Sequence, residues 1–458
     1  MLYANKTRDE LVAICKERRI NGFSGKTVSQ ITSLLQNTVT PIKFVDFFCG
    51  IGGFRYGIQA FQQLHPEYSF TCVKSVDIKK HALQTYSLNF GEKVDACNIK
   101  TLTELSPFDL LCAGFPCQPF SSAGKKEGLE DKTRGNLIYD VLRICKKYAP
   151  RYIVLENVSN IENIEEGDTL RLIVSEFEAI GYHITVTMIN SSDVGLAQDR
   201  KRIFIIGSRD KKPVIDIEKK KQKQKQASQT IKDIIDISDT ISALPSDFLK
   251  NILEIPLDTI LGKSIKDKRG GEDNIHSWDI HYYGPVNERQ VGLLNQLLKE
   301  RRKKKWAVDK KITWMDGMPL TLAEIKTFMD YPAIHTDLED LVSKGYLVME
   351  HPRDIVDGKR QEKLDVPAGY NINKGKLSFP ISKVMHPDSL SPTLTATDSS
   401  KLAVAVGGTI RQLNFVELKR ICGFPEDMRL PPGVNMYDLF GNMVCPPVMT
   451  AILGGLLP

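Results

Sequence analysis

Apolar and polar positions fall into three textures along this chain. Between residues 7 and 36, Leu11, Val12, Ile14 and Cys15 recur at helical spacing, Asn21-Gly22 interrupts, and Ile31, Leu34 and Leu35 resume the pattern. This predicts two short helices around a turn, a pair too small to hold much core alone. From Lys43 onward, apolar runs at 44–48, 70–76, 110–113, 152–155, 183–189 and 202–207 read as strands, most of them separated by stretches of helical length. That alternation predicts a parallel sheet with helices on both faces, an α/β doubly wound fold. After Arg209 the pattern weakens. Residues 218–226 are a charged low-complexity run, read as a solvated linker ahead of a phosphate-contacting strip. Residues 270–400 show no clean strand–helix repeat and carry Trp278, Trp306 and Trp314 with the basic run 301–305; α/β texture returns near the C-terminus, with glycines at 407, 408, 423 and 441. The expected division is a small helical extension at 1–40, a catalytic α/β domain from 41–268 plus 405–458, and a smaller second domain at 269–404.

Composition narrows this picture a little. No apolar run approaches the roughly 18 residues of a membrane helix, and the first residues lack the apolar core of a secretion signal. The expectation is an intracellular protein without membrane contact: cytoplasmic in a prokaryote, at the nucleus or a site of viral replication otherwise. Nine cysteines with no C-x-x-C pair argue against a zinc site or disulfide framework. A net charge of +6 permits a polyanionic partner without demanding one.

The chemistry gathers where strands end. Phe48-Cys49-Gly50-Ile51-Gly52-Gly53 follows the first strand and opens a helix, so backbone there can approach a ligand closely. Asp77 ends the second strand, where an acid can hold a ribose diol or cap the next helix. Past the strand at 110–113 comes Gly114-Phe115-Pro116-Cys117-Gln118-Pro119, in which two prolines bracket a thiol at the sheet's carboxyl edge. Cys112, inside that strand, reads as a packing residue. Residues 118–128, with Lys125 and Lys126, suggest a phosphate-seeking lid. Glu156 exits the apolar strand 153–155 either as a helix cap or as an acid with a raised pKa. Arg200 and Arg202 alternate at the start of the last strand and so face one way, as phosphate or base-oxygen contacts or as a plain surface pair.

In this order, F-x-G-x-G-G, P-C-Q, E-N-V and Q-x-R-x-R resemble the DNA cytosine-5 methyltransferases. The likeness extends to Asp131, Arg134, Gly135 and Leu137, to Ser391-Pro392-Thr393-Leu394-Thr395-Ala396-Thr397, and to Gly441-Asn442-x-Val444. The resemblance implies a Rossmann-like S-adenosylmethionine-dependent methyltransferase domain with a target-recognition domain. It implies Cys117, Glu156, Arg200 and Arg202 as catalytic residues. It also implies a cofactor pocket of Phe48, Gly50, Ile51, Gly52, Asp77, Ile78, Asn98, Ile99, Gly114, Phe115, Leu137, Asn442 and Val444, and DNA contacts from Gln118, Ser121, Lys125 and Arg200. Asp77 stands where the family usually has Glu, Asn98 where it commonly has Asp, and Ala197 where Pro is usual. The implied reaction transfers a methyl group from S-adenosyl-L-methionine to C5 of a flipped cytosine through a Cys117–C6 bond, leaving S-adenosyl-L-homocysteine and using no metal. Implied partners are double-stranded DNA and, in function though not necessarily by contact, a cognate restriction endonuclease; the chain is expected to be a monomer. The N-terminal helix pair is similar to SAP-type modules that often bind nucleic acid, with a docked helical extension as the other reading.

Three alternatives fit the sequence less well. A tRNA-methylating relative would have a compact recognition region, whereas some 180 residues separate Gly207 from Ser389. A decayed regulator would have lost Cys117, Glu156 or Arg202. An amino-methyltransferase would carry a D/N/S-P-P-Y/F loop in place of the thiol. The target sequence and the biological role stay open at this level.

Overall fold

The computed structural model describes residues 3, 6–116, 137–217, 229–238, 244–267, 274–313, 317–356, 359–373 and 379–458. The chain divides into two compact units, one made of Met1–Ile234, Leu390–Ser399 and Phe415–Pro458, the other of Ile235–Ser389 and Ser400–Asn414.

The first unit is built on six strands: β1 Thr40–Phe47, β2 Tyr68–Val76, β3 Leu110–Gly114, β4 Tyr152–Val158, β5 His183–Asn190 and β6 Lys201–Ser208, in the order β2-β1-β3-β4-β6-β5. β1 to β4 run parallel, with Gly114 of β3 opposite Glu156 of β4. β6 is antiparallel to both β4 and β5, which corrects the all-parallel expectation. The connection from Asn190 to Lys201 is too short for the helical crossover a parallel neighbour needs. Helices α3 Gly53–Leu64, α4 Lys80–Phe90, α5 Leu137–Tyr148, α6 Asp168–Ala179, α7 Met436–Gly441 and α8 Pro446–Leu456 complete the unit. β4 is buried along nearly its whole length, as expected of a strand covered on both faces. Val45, Phe47, Leu111, Ile153 and Ile205 of the sheet pack with Val141 and Ile144 of α5 and Ile173 and Phe177 of α6.

Residues far apart in sequence close this unit. A Cβ on Gly53 would fall 2.0 Å from the Val444 carbonyl oxygen, and one on Gly57 2.4 Å from that of Pro446. Both positions therefore need glycine for α3 to meet the start of α8 backbone to backbone. The stretch Met436–Leu456 is apolar enough by composition to cross a membrane, but it is split into α7 and α8, and α8 is a core helix against α3.

The N-terminal pair, α1 Arg8–Glu17 and α2 Val28–Asn37, forms as its sequence directs. Each starts with a reciprocal capping box, Thr7 with Glu10 and Thr27 with Gln30. Leu11, Cys15, Ile20, Ile31 and Leu35 make its small core. The buried Arg18 guanidinium joins this pair to the sheet by donating to Tyr3 Oη and Thr40 Oγ1, both at 3.0 Å, and to the Glu67 carbonyl at 3.0 Å. The pair is thus a docked extension.

In the second unit β7 Ser264–Ile265, β8 Asn274–Ile275, β13 Lys383–Val384, β14 Leu402–Val406 and β15 Thr409–Gln412 form a sheet in the order β15-β14-β13-β7-β8. Two ribbons, β9 Leu347–Glu350 with β12 Gly369–Ile372 and β10 Arg353–Val356 with β11 Lys359–Glu362, stand apart from it. Trp278, Leu293, Leu297, Trp306, Leu338 and Tyr346 make a separate core around the helices Glu288–Glu300 and Ile334–Lys344. Gly407 and Gly408, with φ of 58° and 78°, turn β14 into β15, the geometry a two-residue hairpin requires. Because that hairpin and β7 share one sheet, 400–414 and 235–267 belong to this unit, a division different from the expected boundaries at 268/269 and 404/405.

Candidate active site

The carboxyl ends of β1 to β4 bring the motifs together. Beyond β1 the chain turns sharply, with Phe48, Gly50 and Gly52 at φ of 54°, 52° and 88°. A Cβ on Gly52 would lie 2.4 Å from the Phe90 ring, so only glycine fits. Ile51 is buried beneath the turn. Asp77 holds the loop from the end of β2: its Oδ2 accepts from the Gly50 N–H at 2.9 Å and its Oδ1 from the Lys79 N–H at 2.8 Å. Asp77 does not cap α4, whose N-cap is Lys79; its bond to the Lys79 N–H is a local turn contact two residues on. Ile78 stands 68% exposed beside it, an apolar surface beside the loop that a flat ring could cover. The Cys97 N–H donates to the Asp77 carbonyl at 2.9 Å. Asn98 accepts from the Lys100 N–H at 3.1 Å, and Ile99 packs into the core.

β3 and β4 supply the chemical half. Their register sets Gly114 opposite Glu156, and a Cβ on Gly114 would sit 3.5 Å from Glu156 Oε2 and 3.6 Å from Val444 Cγ2. Asn157 donates to the Phe115 carbonyl at 3.1 Å and so pins the stem of the thiol loop. Leu137 begins α5 and packs on the same core. Cys117, Gln118, Ser121 and Lys125, with Asp131, Arg134, Gly135, the run 218–226 and Trp314, lie outside the described residues.

Glu156 is buried and pairs through Oε1 with Arg202 Nε at 3.0 Å. Burial pushes the Glu156 carboxyl above its ordinary range, and the neighbouring Arg202 and Arg200 oppose that shift without cancelling it. Burial also lowers the Arg202 guanidinium. The pair is a desolvated acid beside a cation: burial favours its proton and the guanidinium opposes it, the kind of perturbed carboxyl found at acid–base sites.

Arg200 departs from expectation. Its guanidinium is 4% exposed and donates to the carbonyls of Leu394 and Met443, each at 2.8 Å, and of Gly441 at 3.4 Å. A contact with DNA phosphate is thereby corrected to an internal one: Arg200 joins Q-x-R-x-R, S-P-T-L-T-A-T and G-N-x-V. The same seam carries Asp199 N–H to the Ser391 carbonyl at 2.8 Å and Thr393 Oγ1 to the Asp199 carbonyl at 2.6 Å. It also requires Gly441, where a Cβ would fall 2.2 Å from the Ala396 nitrogen. In the second unit Arg301 is likewise buried, with its guanidinium on Asn371, whereas Arg302, Lys303, Lys304 and Lys305 are exposed. A cavity of about 730 Å³ between α3 and α8, lined by Tyr56, Gln59, Leu64, Pro447 and Thr450 among others, contains none of the motif residues. Volume alone does not locate the site.

Two neighbours escaped the sequence reading. Cys445 is buried close enough to Glu156, Arg200 and Arg202 to feel their charges, its thiol pushed up by burial to about 11. Asp46, inside β1, is fully buried; neither carboxylate oxygen makes a well-formed hydrogen bond among the described residues. An acid within the apolar run Phe44-Val45-Asp46-Phe47-Phe48 was the available signal.

Residues 42–457 match the profile of the C-5 cytosine-specific DNA methylases. The chain belongs to that family. Among its relatives, the type II methyltransferase M.NlaIV of Neisseria lactamica is 42% identical over 91% of this chain and 99% of its own length. M.NgoBV of Neisseria gonorrhoeae is 41% identical over the same shares. M.BanI of Aneurinibacillus aneurinilyticus is 35% identical over 90% of this chain and 95% of its own. The methylase is a sequence-specific DNA (cytosine-5-)-methyltransferase that takes its methyl group from S-adenosylmethionine. Its N-terminal helix pair precedes the matched region.

Proposed function

We propose that the methylase performs its reaction at the carboxyl edge of β1–β4, with Cys117 as nucleophile and Glu156 as the acid beside it. The observation that carries this is the buried Glu156–Arg202 pair next to Gly114, three residues before the thiol. C5 of cytosine is too weak a nucleophile to take a methyl group unaided. Addition of the Cys117 thiolate at C6 breaks the aromatic system and loads electron density on C5. Charge building at N3 is met by the proton on Glu156, which burial favours and Arg202 orients. S-adenosylmethionine supplies an electrophilic methyl group. Loss of the C5 proton and of the Cys117 sulfur then restores the ring as 5-methylcytosine.

The cradle fits such a cosubstrate. Gly50 and Gly52 keep the loop open to close approach, Asp77 offers a carboxylate for a ribose diol, and Ile78 offers a face for adenine. Phe48, Ile51, Asn98, Ile99, Gly114, Phe115, Leu137, Asn442 and Val444 line or support the rest. Arg200 acts as a positioning residue through the carbonyls it gathers. Because a stacked duplex hides C6, the target base is flipped out, with the segment bearing Gln118, Ser121 and Lys125 against the DNA. The second unit, Ile235–Ser389 with Ser400–Asn414, serves as the target-recognition region, with Arg302 to Lys305 exposed on it. The type II names of the relatives favour a role as the modification partner of a restriction endonuclease in a bacterial cytoplasm, the methylase working as a monomer.

The test is covalent trapping. A pool of duplexes containing 5-fluorocytosine should form a denaturation-resistant adduct in the presence of S-adenosylmethionine, because fluorine at C5 cannot leave as a proton does. Peptide mapping should place it on Cys117, and Cys117→Ser should form none. An adduct on another cysteine, or an active Cys117→Ser enzyme, would overturn the mechanism.

A further inference from the structure

One polar cluster beside the motifs has no part in the chemistry above. Asp438, in α7, sends its carboxylate to the segment that follows β2. Lys79 Nζ lies 3.3 Å from both Oδ1 and Oδ2, and His81 Nε2 lies 2.7 Å from Oδ2. The Asn442 amide donates to Asp438 Oδ1 at 3.1 Å and to its carbonyl at 2.9 Å. Asn435 Oδ1 accepts from the Asp438 N–H at 3.4 Å, so the turn carrying the acid is itself fixed. Burial pushes the Asp438 carboxyl up, yet His81 and Lys79 more than reverse this and hold it below the ordinary carboxylate range. The acid is a quarter exposed, Lys79 and His81 about two-fifths.

These contacts complete a chain through three segments of the cradle. Gly50 N–H reaches Asp77 Oδ2, Asp77 Oδ1 takes the Lys79 N–H, the Lys79 ammonium reaches Asp438, and Asp438 holds Asn442. Among the described residues the Lys79 ammonium donates to the Asp438 carboxylate alone, and both side-chain bonds of Asn442 go to Asp438. Lys79 and Asp438 are separated by 359 residues in sequence, so this pairing ties the Asp77–Ile78 segment to the turn that precedes Asn442.

We propose that Asp438, through Lys79, His81 and Asn442, is a positioning residue that clamps the adenosine end of the S-adenosylmethionine site. This rests on the placement of that site at Asp77, Ile78 and Asn442. The clamp acts on cofactor affinity and leaves the thiol addition untouched, since it contacts neither Glu156 nor Arg202.

The experiment compares wild type, Asp438→Asn, the charge exchange Lys79→Asp/Asp438→Lys, and Asp77→Ala, all as full chains. Cofactor and S-adenosylhomocysteine binding are measured by titration calorimetry, with kcat and KM for S-adenosylmethionine alongside. For a partly exposed ion pair the expected rise in Kd for Asp438→Asn is about three- to tenfold. KM for the cofactor should rise in step, kcat at saturation should hold, and the charge exchange should recover much of the loss. A folded Asp438→Asn with wild-type Kd, or a folded exchange variant that binds no better than Asp438→Asn, would overturn the clamp. If Asp77→Ala weakens binding while Asp438→Asn does not, the clamp fails and the cofactor site stands. If Asp77→Ala binds like wild type, the placement of the site itself fails.

Discussion

Replacing Asp46 by Asn tests the interior of the catalytic unit most directly. Asp46 lies in the middle strand run, wholly buried, without a well-formed hydrogen bond for either oxygen among the described residues. Burial pushes its pKa to about 8, with Arg55 lowering it and Asp77 raising it further. The folded protein therefore holds this carboxyl protonated at neutral pH, whereas the unfolded chain ionises it at the ordinary carboxylate value of 3.8. A folded-state pKa raised in this way gives stability that is fully present below about pH 4 and is lost as pH rises to about 8. The loss runs at about 1.4 kcal/mol per pH unit, or roughly 6 kcal/mol over the whole window. Asparagine keeps the shape and cannot titrate. Its buried amide adds a constant offset of about 1–3 kcal/mol, so the slope with pH, and not the absolute difference, carries the information. Urea unfolding of both proteins at intervals from pH 5.5 to 9 is the assay. The difference in favour of Asp46→Asn should grow steadily to about pH 8 and then level off. A difference independent of pH between 6 and 8 would refute the reasoning, because it would mean that Asp46 is ionised and paired in the fold.

Three further outcomes are expected. Glu156→Gln should still bind cofactor and DNA but transfer methyl groups about a hundredfold more slowly in single-turnover assays; the wild-type decline in rate as pH rises through the elevated Glu156 pKa should vanish in the variant. Arg200→Lys should cost about 2–4 kcal/mol, since one ammonium cannot serve the carbonyls of Leu394, Gly441 and Met443; any folded fraction should keep the wild-type salt dependence of DNA binding, and a shallower salt slope would restore Arg200 as a phosphate contact. Deleting residues 1–38 removes the Arg18 contacts with Thr40 and Glu67 and should lower the melting temperature by a few degrees, while methylation of short duplexes continues; a folded but inactive truncation would make the helix pair part of the site.

Much of the cradle was legible in sequence because its parts are local. Apolar runs ending in glycine, in Asp77, in the thiol loop or in Glu156 announce strands whose carboxyl ends bear function. Direction and partnership were not local. Nothing within Lys201–Ser208 says that it runs against Tyr152–Val158; the short connection from β5 does. Arg200 and Arg202 share strand parity, yet one is consumed by three carbonyls and the other faces Glu156, a distinction made by residues 394–443. The strands of the second unit are as short as two residues, too brief for any periodicity to register. Asp438 and Lys79 look like ordinary surface charges until the fold brings them together.

The glycine loop leads β1 into α3, yet the start of that helix rests on residues far along the sequence: Thr450 bonds to Gly57 across 393 residues, and Val444 lies against Gly53. A ribosome delivers these partners in that order. While the chain is being made, the sheet, the thiol and Glu156 all emerge before the wall that closes the cradle, and folding that proceeds from the N-terminal side leaves them waiting. A nascent chain stalled before residue 440 would carry Cys117, Glu156 and Arg202 and still lack Asn442, Val444 and the backbone against which Gly53 rests. The cradle therefore closes as a late step, once residues 442–450 have emerged.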